Sequence, residues 1–125
     1  MKPFVLLSAV IEIIAGIIFL FFPRLIPDFA QASAGHVGLI RMYGAAALAL
    51  GFFAFQVWQH MRSQVMQNAF LQTYLIFNVG VAVAIYTCYV AGVFSDLGGT
   101  ILHTVLALVT AFFYFKKRQA TTTTD

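Results

Sequence analysis

Four long apolar runs, at about residues 4–22, 37–58, 69–92 and 98–115, constrain this chain more than any motif in it. A helix rises about 1.5 Å per residue, so roughly 20 apolar residues cross a hydrocarbon layer of about 30 Å. Each run is near that length. The chain has 125 residues, 62% hydrophobic and 9% charged, which is more apolar surface than a water-soluble core of this size can bury. The reading is an all-α integral membrane fold, an up-down bundle of four transmembrane helices in a single domain over residues 1–118. Residues 119–125 form a Thr-rich tail with too little apolar content to fold.

The punctuation agrees. The first helix should stop at Pro23, because the residue before a proline is pushed out of helical geometry, and Pro27 repeats the interruption. Ala32-Ser33-Ala34 has the small-x-small form of a signal cleavage site, but the 19 residues from Phe4 to Phe22 exceed a signal core. Pro23, Arg24, Pro27 and Asp28 also intervene, so the stretch is read as a spanning helix. A short polar link at residues 59–64 makes the second and third helices antiparallel neighbours. Asp96 is the expected N-cap of the fourth helix, accepting backbone N–H bonds that a first turn leaves open.

Charge sets orientation. Lys2, Arg62, Lys116, Lys117 and Arg118 fall on one side, whereas the opposite links carry Arg24 against Asp28 and Asp96. Basic residues favour the cytoplasmic side, so both termini are expected there. The net charge of +3 does not indicate nucleic acid, since the basic residues sit at the ends of apolar runs and not on a face interleaved with aromatics. Cys88, the single cysteine, lies inside an apolar run and allows neither a disulfide framework nor a cysteine metal cluster. No metal site or cofactor is expected.

Charges inside the runs are the candidate site. An ionisable group in the hydrocarbon core costs on the order of 3 kcal/mol on insertion scales and needs an internal partner or a water-filled cavity. Glu12 falls near the middle of the first helix. Arg41 and His103 lie about one turn inside the outer ends of the second and fourth. Ser8, Glu12 and Gly16 form an i, i+4 stripe, as do Gly99, His103, Ala107 and Ala111, and small neighbours permit close helix approach. Counted from the outer ends, Arg41 and His103 are roughly 6 to 8 Å deep and Glu12 roughly 15 Å. Tyr43 and Tyr86 reach similar outer depths and Asn78 lies deeper, so a cluster of Glu12, Arg41, Tyr43, Asn78, Tyr86 and His103 is the expected ligand or ion-pair site.

Its meaning stays open at this level. Glu12 and Arg41 could neutralise each other and pin the helix register, or the group could line an outward-facing pocket for a small molecule or lipid. No Gly-rich phosphate loop, His-Glu-x-x-His helix or Gly-x-Ser-x-Gly elbow occurs, so nothing compels an enzyme. The partners expected are the lipid bilayer, a second copy or another membrane protein, and a small ligand.

Glu12-x-x-x-Gly16, the stop at Pro23, Arg41-x-x-Gly44 and a polar residue early in the fourth helix resemble the small bacterial four-helix membrane proteins of the DoxX-like type. The likeness spans about residues 4–115. It implies an inner-membrane fold and an accessory or small-molecule-handling role more than an activity. The membrane-embedded Glu12 in a four-helix chain is also similar to small multidrug-resistance transporters, which implies proton exchange for a cationic substrate. Arg41 and the long link from Pro23 to His36 depart from that pattern. Three functions follow: an accessory or structural subunit, a proton-coupled transporter using Glu12, or a membrane enzyme or lipid-binding protein using Arg41 and His103.

Overall fold

Pro3 opens the first helix, where a missing N–H is no loss, and Pro23 ends it. The helix α1 spans Lys2–Phe21, and Phe22 leaves helical geometry at φ −128° and ψ 40°. The structure, a computed structural model, describes residues 1–95 and 97–122. Two 3-10 turns, Pro23–Leu25 and Pro27–Phe29, carry the chain from α1 into α2, Ala34–Gln59. Ser33 caps α2, its hydroxyl accepting from the His36 backbone N–H at 3.4 Å. The helices α3, Gln64–Val90, and α4, Gly98–Thr122, complete the chain. No strand occurs among the described residues. All four helices are long and apolar enough to cross a membrane.

The chain forms two compact units, Met1–Ser63 and Gln64–Asp125, each a helical hairpin, within the stretch expected as one domain. In the N-terminal hairpin, glycine decides how closely the helices approach. A methyl group built on Gly16 would lie 2.6 Å from the Leu48 nitrogen, and one on Gly44 would lie 2.5 Å from the Leu20 nitrogen. Gly51 is as tight against Ile13 and the Ala9 carbonyl. These pairs run in opposite directions along α1 and α2, so the hairpin is antiparallel. At its open end the Lys2 ammonium lies 5.5 Å above the Trp58 ring, a cation–π contact joining the first and last turns.

The C-terminal hairpin is antiparallel as well. Lys117 donates to the Gln64 carbonyl at 3.2 Å and Gln72 to the Tyr114 hydroxyl at 3.5 Å, while Gly99 faces Ile85. The helix α3 stops at Val90, short of the expected 92, for a reason visible in its cap. Gly92 has φ +71°, the Val93 N–H donates to the Cys88 carbonyl at 2.9 Å and the Gly92 N–H to the Tyr89 carbonyl at 2.9 Å. This pair of bonds satisfies carbonyls that the last turn would otherwise leave open, and it needs a left-handed residue. Gly92→Ala should therefore lower the stability of this hairpin by about 1 kcal/mol, measured by reversible unfolding in detergent micelles. An unchanged midpoint would contradict the cap.

The helix α4 does not end near Phe115, and residues 119–122 are helical where an unfolded tail was expected. Lys, Arg, Gln and Ala are good helix formers, and cations in the last turns face the negative end of the helix dipole. Lys116 and Arg118 each lie 5.8 Å over an aromatic ring one turn back, Phe112 and Tyr114. The expected N-cap, Asp96, lies outside the described residues.

Candidate functional site

The stripe on α1 positions Glu12. Val5, Ser8, Ala9, Glu12 and Gly16 are its buried residues; Ser8 is fully buried and Glu12 is 1% exposed. The Ser8 hydroxyl donates to the Phe4 carbonyl at 2.9 Å, back-bonding within its own helix. Glu12 thus sits along the glycine seam, one turn from Gly16.

Arg41 is elsewhere. Gly16 meets Leu48, Gly44 meets Leu20 and Gly51 meets Ile13, so residues facing each other across this hairpin have numbers summing to 64. Glu12 then stands level with Phe52, and Arg41 level with Pro23. The 11-residue offset corresponds to about 16 Å along the axis. No ion pair joins the two among the described residues, so the neutralising bridge, one of the readings open from the sequence, does not form there. Tyr43 packs against Phe19 edge-on, with ring centroids 5.1 Å apart at 72°.

At the closed end of the N-terminal hairpin, Arg41 instead lines a cleft of about 250 Å³. Arg24 is its second cation, and Phe21, Phe22, Pro23, Leu25 and Val37 form its apolar wall. The proline stop shapes this cleft by turning the chain under the end of α1. Arg24 donates to the Ala30 carbonyl at 3.1 Å, which fixes its guanidinium across the link. Arg41 is exposed and makes no ion pair or hydrogen bond among the described residues. The sequence reading has Arg24 as a topological charge against Asp28, in a link whose alternation with Leu25, Ile26 and Phe29 suits the membrane surface, and not as a site residue. The missed signal was a second arginine beside the proline stop that folds back toward Arg41.

The C-terminal hairpin brings Asn78 and His103 together. Both are buried, Asn78 completely. The Asn78 amide nitrogen donates to the Tyr74 carbonyl at 2.8 Å, so its oxygen faces the His103 ring, 2.8 Å from Nδ1. That oxygen only accepts, so Nδ1 carries a proton, and in the neutral ring Nε2 is left with the lone pair. Phe77 holds the ring from the side, edge-on with centroids 6.2 Å apart. Tyr86 does not join this pair: it lies eight residues beyond Asn78, about 12 Å along the helix, and is 52% exposed.

Two further buried polar residues belong to this hairpin. Thr110, fully buried, donates to the Leu106 carbonyl at 2.6 Å. Tyr74, also fully buried, stacks on Phe70 with centroids 5.1 Å apart at 17°. The buried face of α4 is His103, Leu106, Ala107 and Thr110, so Thr110 was readable as the residue two turns beyond His103. Among the described residues, no three of His, Cys, Asp or Glu gather where one metal ion could be held. No family model, curated protein or solved structure matches this chain.

Proposed function

We propose that this is a small multi-pass protein of the bacterial inner membrane, with both termini cytoplasmic, acting as an accessory or structural subunit. Support for membrane placement comes from the outward faces of its helices. Leu7, Ile14 and Phe21 on α1 and Leu108, Phe112 and Phe115 on α4 are each more than half exposed, and such apolar stripes are stable against lipid, not water. The basic residues at Lys2, Arg62 and 116–118 support the orientation.

The observation that carries the accessory reading is where the polar residues of the helices lie. Ser8 and Glu12 flank a seam too tight for a methyl group, and Asn78 and His103 bond to each other within one hairpin. Polar groups so engaged hold helices together. The resemblance to DoxX-like proteins points the same way.

A second reading, proton-coupled transport through Glu12, is favoured by a carboxylic residue 1% exposed near the middle of a membrane-length helix. Glu12→Gln separates the two. In vesicles carrying a pH gradient, tetraphenylphosphonium flux should match that of empty vesicles for wild type and variant alike. In cells, photo-crosslinkers at Leu108 or Phe112 should capture the same membrane protein from both. Gradient-driven flux present in wild type and lost in Glu12→Gln would replace the accessory role with transport.

A further inference from the structure

We propose that the cleft between Arg24 and Arg41 binds the phosphate of an anionic phospholipid, with its acyl chains leaving along the apolar wall. Two arginines line one small space, and no ion pair neutralises either among the described residues. Charges of one sign at the lining of one cleft repel, and an anion between them removes the repulsion. Guanidinium forks match phosphate oxygens in pairs, and the bond from Arg24 to the Ala30 carbonyl holds one fork in place beforehand.

Size and surroundings narrow the ligand. The cleft, about 250 Å³, falls below the roughly 300–1,000 Å³ of sites that enclose drug-sized molecules, so it accommodates a headgroup and not a whole lipid. Phe21, Phe22 and Leu25 beside it are exposed at 60%, 52% and 77%. A free anion has no use for such a wall; a lipid lays its glycerol backbone and first methylenes against it. The charges also stand at the end of α1, level with Pro23, which is headgroup depth for a helix of this length. The inference rests on membrane placement and is independent of the accessory role.

The test uses the full chain in neutral detergent with phosphatidylglycerol added, bound lipid being counted by native mass spectrometry. Phosphatidylcholine and soluble glycerol phosphate serve as comparison probes. Wild type should retain phosphatidylglycerol at least tenfold more tightly than either. Arg24→Gln and Arg41→Gln should each weaken retention about tenfold, as for loss of one charge-assisted contact. Arg41→Lys should lose less, and Arg62→Gln, at the opposite end of α2, should match wild type.

Unchanged retention in both glutamine variants would overturn the proposal, as would an equal loss in Arg62→Gln. Glycerol phosphate binding as tightly as the lipid would also overturn it, since the apolar wall would then contribute nothing. Flotation with phosphatidylcholine vesicles separates the two ideas: a chain that does not float refutes membrane placement itself. One that floats while its variants bind lipid normally refutes only the arginine site.

Discussion

Gly44→Ala and Gly16→Ala should each destabilise the N-terminal hairpin by about 1–3 kcal/mol, the range for overpacking a close-fitting contact. The atoms in the way are backbone atoms: the Leu20 nitrogen and Phe19 carbonyl carbon for Gly44, and the Leu48 nitrogen and Cα for Gly16. No rotamer change can clear them, so one helix must move off the other along the seam. Gly80→Ala supplies the opposite sign. Nothing lies within 4 Å of a methyl group there, so the helix gains propensity, at most about 1 kcal/mol. Unfolding in bicelles, followed by the accessibility of a cysteine placed in the seam, measures all three. If Gly44→Ala proved as stable as Gly80→Ala, the helices could not approach as closely as the structure has them.

Helix existence was legible because it depends on local properties: run length, the prolines at 23 and 27, and small residues at four-residue spacing. Periodicity also placed Ser8, Glu12 and Gly16 on one face, and all three are buried. What it cannot supply is the axial level of one helix against another. Depth counted inward from each helix's expected end put Arg41 within about 9 Å of Glu12. Ser33 caps α2 and the helix starts at Ala34, which on that count sets Arg41 deeper still and nearer to Glu12, so the helix ends are not the source of the error. The register across the hairpin is set by which glycine meets which backbone, a pairing between residues some 30 positions apart. That pairing sends Arg41 to Pro23 and leaves Glu12 in the seam. Tyr86 failed for a different reason: it follows Asn78 and Ala82 at four-residue spacing, but burial on that stripe ends before it, and it is 52% exposed.

The Asn78–His103 bond offers the sharpest energetic test in the other hairpin. Asn78→Leu leaves the Nδ1–H of a buried imidazole without its acceptor, and His103→Phe leaves the amide oxygen without its donor while keeping an aromatic ring beside Phe77. Each single change should cost about 1–3 kcal/mol, the penalty for orphaning a buried polar group. The double variant removes both groups and should recover part of the loss. Coupling energies for such bonds within helical membrane proteins average about 0.6 kcal/mol and reach about 1.7, and the 2.8 Å geometry between two buried groups places this pair toward the upper end. Strict additivity would mean that this bond adds nothing to the joining of α3 and α4. A second observable does not depend on stability. Nitrogen NMR of His103 at alkaline pH should show the proton on Nδ1 in wild type, because only an acceptor faces that atom, and Asn78→Leu should release the ring from that tautomer. A ring protonated on Nε2 in wild type would reverse the donor and acceptor assigned here and, with them, the orientation of the Asn78 amide against the Tyr74 carbonyl.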